Sequence, residues 1–193
     1  MYTSIDDVLK PLTLLLKGDS GTGKTTKAAK FPRPVFFNWD NNLSGLRKLP
    51  PEIRSRVKIV NPRATKDGKE VETIKVFDNF VDLLATTAED KQVGTIVFDS
   101  LTTMAESLMD KILKSDSPAA RIEIQHWGEI WRYFKWLGEE VLCNQKLDKH
   151  VIWIAHEQLK EDKATGNTKY LLSLGGQAKS NLDLFFTDVW RLY

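Results

Sequence analysis

Short apolar runs and longer amphipathic stretches alternate along this chain. Leu12-Thr13-Leu14-Leu15-Leu16, Val35-Phe36-Phe37, Val57-Lys58-Ile59-Val60, Thr95-Ile96-Val97-Phe98 and Val151-Ile152-Trp153-Ile154-Ala155 are rich in branched and aromatic residues. Such runs, bounded by turn-forming residues, predict buried strands. Phe77 to Ala88 places Phe77, Phe80, Val81 and Leu84 at helical spacing, and Thr102 to Leu113 and Ile124 to Leu142 predict two further helices. Thr26-Lys27-Ala28-Ala29-Lys30 predicts the opening turns of a helix that ends near Phe31-Pro32-Arg33-Pro34. Pro50-Pro51 breaks the chain, Ser115 to Pro118 predicts a loop, a short helix follows Gly175-Gly176, and Phe185 to Leu192 predicts a closing strand. The alternation predicts an α/β fold with a mostly parallel central sheet flanked by helices. No repeat or composition shift divides the chain, so residues 1–193 read as one domain with two excursions. One is a hairpin within 57–76, around the polar stretch Arg63 to Glu70 with its Asp67-Gly68 turn signal. The other is a mobile loop within 157–175, polar from Lys160 to Thr168.

On the long helix, His126-Trp127, Ile130-Trp131, Phe134 and Leu137 recur at i, i+3 and i+4, which predicts a core face. Trp136 falls off that stripe and is left as a candidate for an exposed contact. Composition constrains little: with 41% hydrophobic and 28% charged residues, 193 residues suit one globular domain with a full core. A net charge of +2 neither demands nor excludes a nucleic-acid partner. The single cysteine, Cys143, cannot form an intramolecular disulfide, so the expectation is a packing role in a reducing compartment. With three histidines and one cysteine no metal-ligand cluster is visible. No apolar run approaches a membrane span, and Met1 to Asp7 lacks a signal-peptide pattern. A cytoplasmic protein without a membrane partner is therefore expected.

The chemistry concentrates after the first predicted strand. Gly18-Asp19-Ser20-Gly21-Thr22-Gly23-Lys24-Thr25 is a complete G-x-x-x-x-G-K-[ST] phosphate loop, and strand before with helix after is the context that separates a nucleotide site from a chance match. Glycines let the loop wrap with its N–H groups turned inward, a concavity for anionic oxygens that the positive end of the next helix reinforces. Residues 18–26, Thr26 included, are the nucleotide-binding candidates. Lys24 can reach the β- and γ-phosphates and Thr25 can offer its hydroxyl to Mg2+, so ATP and Mg2+ are the expected cofactors.

Three polar residues end predicted strands. Asp99 closes the Thr95–Phe98 run; an acid at the carboxyl end of a buried strand beside the phosphate-loop strand can hold Mg2+ through water, or it can cap the next helix. Asp40 follows Val35–Phe37, where a carboxylate can orient or deprotonate an attacking water, or simply turn the chain. His156 closes the Val151–Ala155 strand, where it can touch the γ-phosphate or lie on the surface. Lys24, Asp40, Asp99 and His156 are the catalytic candidates, with Thr25 and Asp99 on the metal.

In this order the motifs resemble the RecA-like core of P-loop NTPases. Phe36-Phe37-Asn38-Trp39-Asp40-Asn41 is similar to the family strand that delivers the catalytic glutamate, Ile154-Ala155-His156 to its γ-phosphate sensor strand, and Gly175-Gly176-Gln177-Ala178-Lys179 to the end of its second DNA-binding loop. Trp39-Asp40-Asn41-Asn42-Leu43, Asp99-Ser100 and His156-Glu157 resemble the minimal RecA-core ATPases of bacteriophages that act in recombination and single-strand annealing. The resemblance implies DNA-stimulated ATP hydrolysis, slow because aspartate stands where the family has glutamate. It implies single-stranded DNA as partner, contacted by Lys160, Lys163, Lys169, Tyr170 and Lys179 in the region after His156. It implies a homo-oligomer, ring or filament, although no N-terminal oligomerisation arm or separate C-terminal DNA-capturing domain is evident, and a phage or host single-strand-binding protein nearby. Lys160, Lys163 or Arg191 could reach a neighbouring subunit's γ-phosphate. Glu157, Glu161 and Asp162 dilute the positive charge of that region, so a solvated hairpin stays open as its reading.

Two other functions stay open. A small-molecule or nucleotide kinase also uses a phosphate loop, but residues 157 to 190 contain no arginine with which to build a clamping lid. A nucleotide-gated interaction module of the helicase-loader type would need little hydrolysis.

Overall fold

Strands apolar on both faces need a layer on each side, and the chain supplies both. The computed structural model describes residues 11–65, 67–116, 121–142, 147–161, 166 and 168–193. Strands β1 (Thr13–Gly18), β2 (Pro34–Asn38), β3 (Lys58–Val60), β4 (Thr95–Asp99), β5 (His150–Glu161), β6 (Thr168–Leu172) and β7 (Asp188–Leu192) alternate with helices α1 (Lys24–Ala28), α2 (Pro51–Arg54), α3 (Val76–Glu89), α4 (Leu101–Asp116), α5 (Ile124–Leu137) and α6 (Ala178–Asn181). The sheet order is β3-β2-β4-β5-β1-β7, all neighbours parallel, with β6 antiparallel on the outer half of β5. This is the α/β architecture that the sequence predicts, a mostly parallel central sheet flanked by helices. One detail is corrected: the acid-tipped strand β4 is not beside the phosphate-loop strand β1, because β5 lies between them.

Alternation along each strand divides the core. Leu15, Phe37, Phe98 and Trp153 point to the side covered by α3, α4 and α5, while Leu14, Leu16, Phe36, Val97 and Ile154 pack against Ala28, Ala29, Leu46 and Leu49. Each such side chain contributes roughly 1.5–3 kcal/mol by leaving water. Phe80 of α3 sits edge-on to Phe37, Trp39 and Phe98 at 5.3, 5.1 and 5.6 Å, so one aromatic cluster fixes the helix over the ends of β2 and β4. On α5, His126, Ile130, Phe134 and Leu137 are buried, Trp127 and Trp131 pack half-buried beside them, and Trp136 is 40% exposed, as the stripe predicts. His126 also accepts the Glu123 N–H at Nδ1, 3.0 Å away, closing the helix N-terminus.

Three regions depart from the sequence reading. The loop expected over 157–175 is mostly a regular hairpin: β5 runs on past the sheet and pairs with β6 from Glu157↔Leu172 to Glu161↔Thr168. The excursion expected within 57–76 shrinks, because β3 belongs to the main sheet and Thr73–Lys75 is a turn leading into α3. What is left is the isolated bridge Ala64↔Glu70, with Thr65 N–H donating to the Lys69 carbonyl. The stretch around Pro50-Pro51 is helical on both sides, with a 3-10 turn over Ser44–Lys48 and Pro51 in the first turn of α2, where its missing N–H costs nothing. Met1 to Asp7, Ser117, Pro118 and Cys143 lie outside the described residues. Among the described residues no helix is long and apolar enough to cross a membrane.

Candidate active site

Register brings the strand ends together. Asn38 pairs with Asp99, Asp99 with Ile154, and Gly18 with His156, so the phosphate loop, Asp40, Asp99 and His156 meet at the carboxyl edge of the sheet. There they line a pocket of about 460 Å³ to which the loop residues Ser20 to Thr26, without Thr22, and the segment Asn42 to Lys48 also contribute. Gly18, Asp19 and Thr22 brace the loop instead of lining the pocket.

Gly21 and Gly23 adopt φ values of +84° and +85°, a left-handed conformation that side chains rarely tolerate, and so the loop can curl. Helix α1 is only five residues long, so the anion cradle depends on the loop backbone more than on a macrodipole. Lys24 is buried and folds back, donating from Nζ to the carbonyls of Gly18 (2.9 Å) and Asp19 (2.7 Å). Burial lowers its pKa, against the pull of the Asp99, Asp19, Asp40 and Glu157 carboxylates. Phosphate oxygens entering the pocket would replace the loop carbonyls as its acceptors.

Thr25 donates its hydroxyl to Asp99 Oδ2 at 2.7 Å. Burial, with Asp40 nearby, pushes the Asp99 carboxyl up to about 6 despite that hydrogen bond. Among the described residues no three His, Cys, Asp or Glu side chains converge as a self-sufficient metal cage. A hydroxyl and one buried carboxylate beside a phosphate cradle fit Mg2+, which is held by one or two protein oxygens plus substrate phosphates.

Asp40 is held harder than its loop position suggests. Its Oδ1 accepts from Ser100 N–H (3.3 Å), Ser100 Oγ (2.8 Å) and Thr103 Oγ1, and its Oδ2 lies 3.6 Å from His156 Nε2. Burial would raise its pKa, but His156, Thr103 and Ser100 outweigh it and hold the carboxyl at about 2. Ser100 and Thr103 were not singled out from the sequence as partners of Asp40. The signal available was a hydroxyl one residue and four residues after the strand-ending acid, Ser100 just before α4 and Thr103 on its first turn. Asn42, Ser44 and Lys48, also on the pocket, carry no such spacing.

The candidate DNA residues scatter. Lys160 faces Lys169 across the hairpin and Leu159 faces Tyr170, all four exposed. Lys179 lies on α6 and Lys163 lies outside the described residues. Arg191 is engaged within its own chain: Nε donates to the buried Glu157 at 2.7 Å and the guanidinium covers the Tyr170 ring at 3.1 Å from its centroid. Glu157 also lies 3.7 Å from Lys17, on the strand that leads into the phosphate loop. The Gly175-Gly176 pair serves packing, since a methyl on Gly175 would collide with the Trp127 ring.

No curated protein matches the chain. Among solved structures, a KaiC-like protein from the hyperthermophilic archaeon Pyrococcus horikoshii OT3 is similar at 17% identity, over 83% of this chain and 77% of that one, with a TM-score of 0.45. A family model described as an AAA domain matches residues 10–192. That span takes in the whole sheet and every residue of the phosphate pocket, and the chain belongs to this AAA domain family of P-loop ATPases.

Proposed function

We propose that the chain hydrolyses ATP and uses the nucleotide to control its grip on single-stranded DNA, in recombination or strand annealing of the bacteriophage kind. The observation that carries this reading is the unbroken run of β5. His156 stands on the phosphate pocket, and the same strand continues without a break into the hairpin that holds Lys160, Lys169 and Tyr170. A contact at the γ-phosphate therefore acts on a lever that ends outside the sheet.

In this reading Lys24 and the loop N–H groups hold the β- and γ-phosphates, and Thr25 with Asp99 holds Mg2+. When bound, the ion neutralises charge on the bridging phosphate oxygens. Asp40 takes the place opposite the γ-phosphate. Held at about 2, its carboxylate is a weak proton acceptor at neutral pH, so its task is to orient the attacking water by accepting a hydrogen bond. The short aspartate side chain keeps turnover slow. His156, beside Asp40, reports whether the γ-phosphate is present. A homo-oligomeric ring or filament, with a phage or host single-strand-binding protein nearby, completes the proposal.

The test is the steady-state ATPase rate with Mg2+, with and without single-stranded DNA, at low and moderate salt. Stimulation that fades with salt is expected. No response at either salt removes DNA from the reading; phosphoryl transfer to a small acceptor would replace it with a kinase, and nucleotide-dependent partner binding without turnover with a loader.

A further inference from the structure

Six cations, Arg47, Lys48, Arg54, Arg56, Lys58 and Arg63, stand between residues 44 and 63 against one carboxylate, Glu52. That segment carries +5 in a chain whose net charge is +2, so the rest of the molecule is net acidic. The β5–β6 hairpin, by contrast, sets Lys160, Lys163 and Lys169 against Glu157, Glu161 and Asp162. The strongest attraction for a polyanion is therefore not on the hairpin.

The basic segment frames a groove of about 460 Å³ at the same carboxyl edge of the sheet, lined by Asn38, Asn42, Ser44, Arg47, Arg54 and Ile59 among others. Asn42 and Ser44 also line the phosphate pocket, so the two cavities adjoin. Other cations of the segment are tied down: Arg63 donates to Ser107, Arg56 to the Glu52 carbonyl, and Lys58 lies 3.9 Å from Asp90. Arg47 and Arg54 are exposed and meet no carboxylate among the described residues; Arg54 makes only a long 3.4 Å hydrogen bond to the Arg47 carbonyl, which leaves the guanidinium charge of both uncompensated. Two observations mark the groove as built for a ligand with polar and apolar faces. The buried Asn38 Oδ1 has no hydrogen-bond partner, and Ile59 is 55% exposed on the edge strand β3.

We propose that this groove is a track for the phosphate backbone of single-stranded nucleic acid, with Arg47 and Arg54 on phosphates and Ile59 against base faces. The proposal rests on the reading that the protein binds single-stranded DNA; what it adds is the place, on the far side of the nucleotide pocket from the hairpin. It also puts the strand next to Asn42 and Ser44, which both cavities share.

The experiment is fluorescence anisotropy of a labelled single-stranded oligonucleotide over a salt series, for the full chain, for Arg47→Gln/Arg54→Gln and for Lys160→Gln/Lys169→Gln. Far-UV circular dichroism and the urea midpoint, which neither pair should change, control for folding. Each single-strand phosphate contact contributes about 0.7 to the slope of log K against log salt, so losing two arginines should weaken binding and lower the slope by about 1.4. The lysine pair should change both less. Wild-type affinity and slope in the arginine variant overturn the groove and leave the wider reading standing. Failure of the unaltered chain to bind DNA at low salt overturns both.

Discussion

Replacing Asp40 by asparagine removes one charge and keeps the shape of the side chain. The folded protein holds this carboxyl at about 2 against an ordinary 3.8. That gap is worth about 2 kcal/mol in favour of the ionised form. A depressed pKa stabilises the fold above the unfolded value and stops doing so as pH falls through the folded one. Asp40→Asn should therefore cost up to about 2 kcal/mol at pH 7, which corresponds to a fall in Tm of roughly 4–8 °C for a chain of this size. Relief of Asp99, which Asp40 helps push up to about 6, offsets part of it. Urea denaturation of both proteins without nucleotide measures the gap. It should widen somewhat between about pH 7 and pH 5, as Asp99 protonates and its relief is lost, and shrink only below about pH 4. The same variant should keep its affinity for ATP and lose turnover. Equal stability at pH 7, or a gap that closes between pH 7 and 5, would refute the account of how Ser100, Thr103 and His156 hold this carboxylate. Hydrolysis at the parent rate would refute its role.

Other outcomes follow from single contacts. Lys24→Ala should weaken ATP binding at least about tenfold by calorimetry, since Lys24 is the buried ammonium that lines the pocket from the phosphate loop; unchanged affinity contradicts the phosphate role. Thr25→Ala should raise the Mg2+ concentration needed for half-maximal hydrolysis, and an unaltered requirement removes Thr25 from the metal. Gly175→Ala should destabilise the fold by about 1–3 kcal/mol in urea, because the added methyl meets the Trp127 ring; a neutral result would mean that α5 moves aside freely.

What the sequence disclosed follows from how locally each signal is encoded. The phosphate loop was legible because its glycines, lysine and threonine act within eight consecutive positions. The central strands were legible because burial on both faces removes every polar residue from Leu14 to Leu16 and from Ile96 to Phe98. The outer half of β5 was not: from Glu157 to Glu161 it pairs only with β6 in a hairpin exposed to solvent, so Gln158 and Lys160 interrupt the run as they would in a loop. Strand order was also hidden, since adjacency of β5 to both β1 and β4 is a tertiary fact that no stretch of residues states. The fixing of Asp40 by Ser100 and Thr103, sixty residues on, was hidden for the same reason. Arg191 read as a candidate for a neighbouring subunit's γ-phosphate and Glu157 as a charge diluting the hairpin lysines, and their pairing across β5 and β7 needed the fold.

The central claim is that His156 carries the state of the phosphate pocket into the hairpin. The direct measurement is single-strand DNA affinity of the unaltered protein and of His156→Ala, each with ADP and with a non-hydrolysable ATP analogue in the presence of Mg2+. The account predicts that the analogue changes affinity in the unaltered protein and that the difference between the two nucleotides vanishes in His156→Ala while ATP still binds. A difference of the same size in the variant would contradict it.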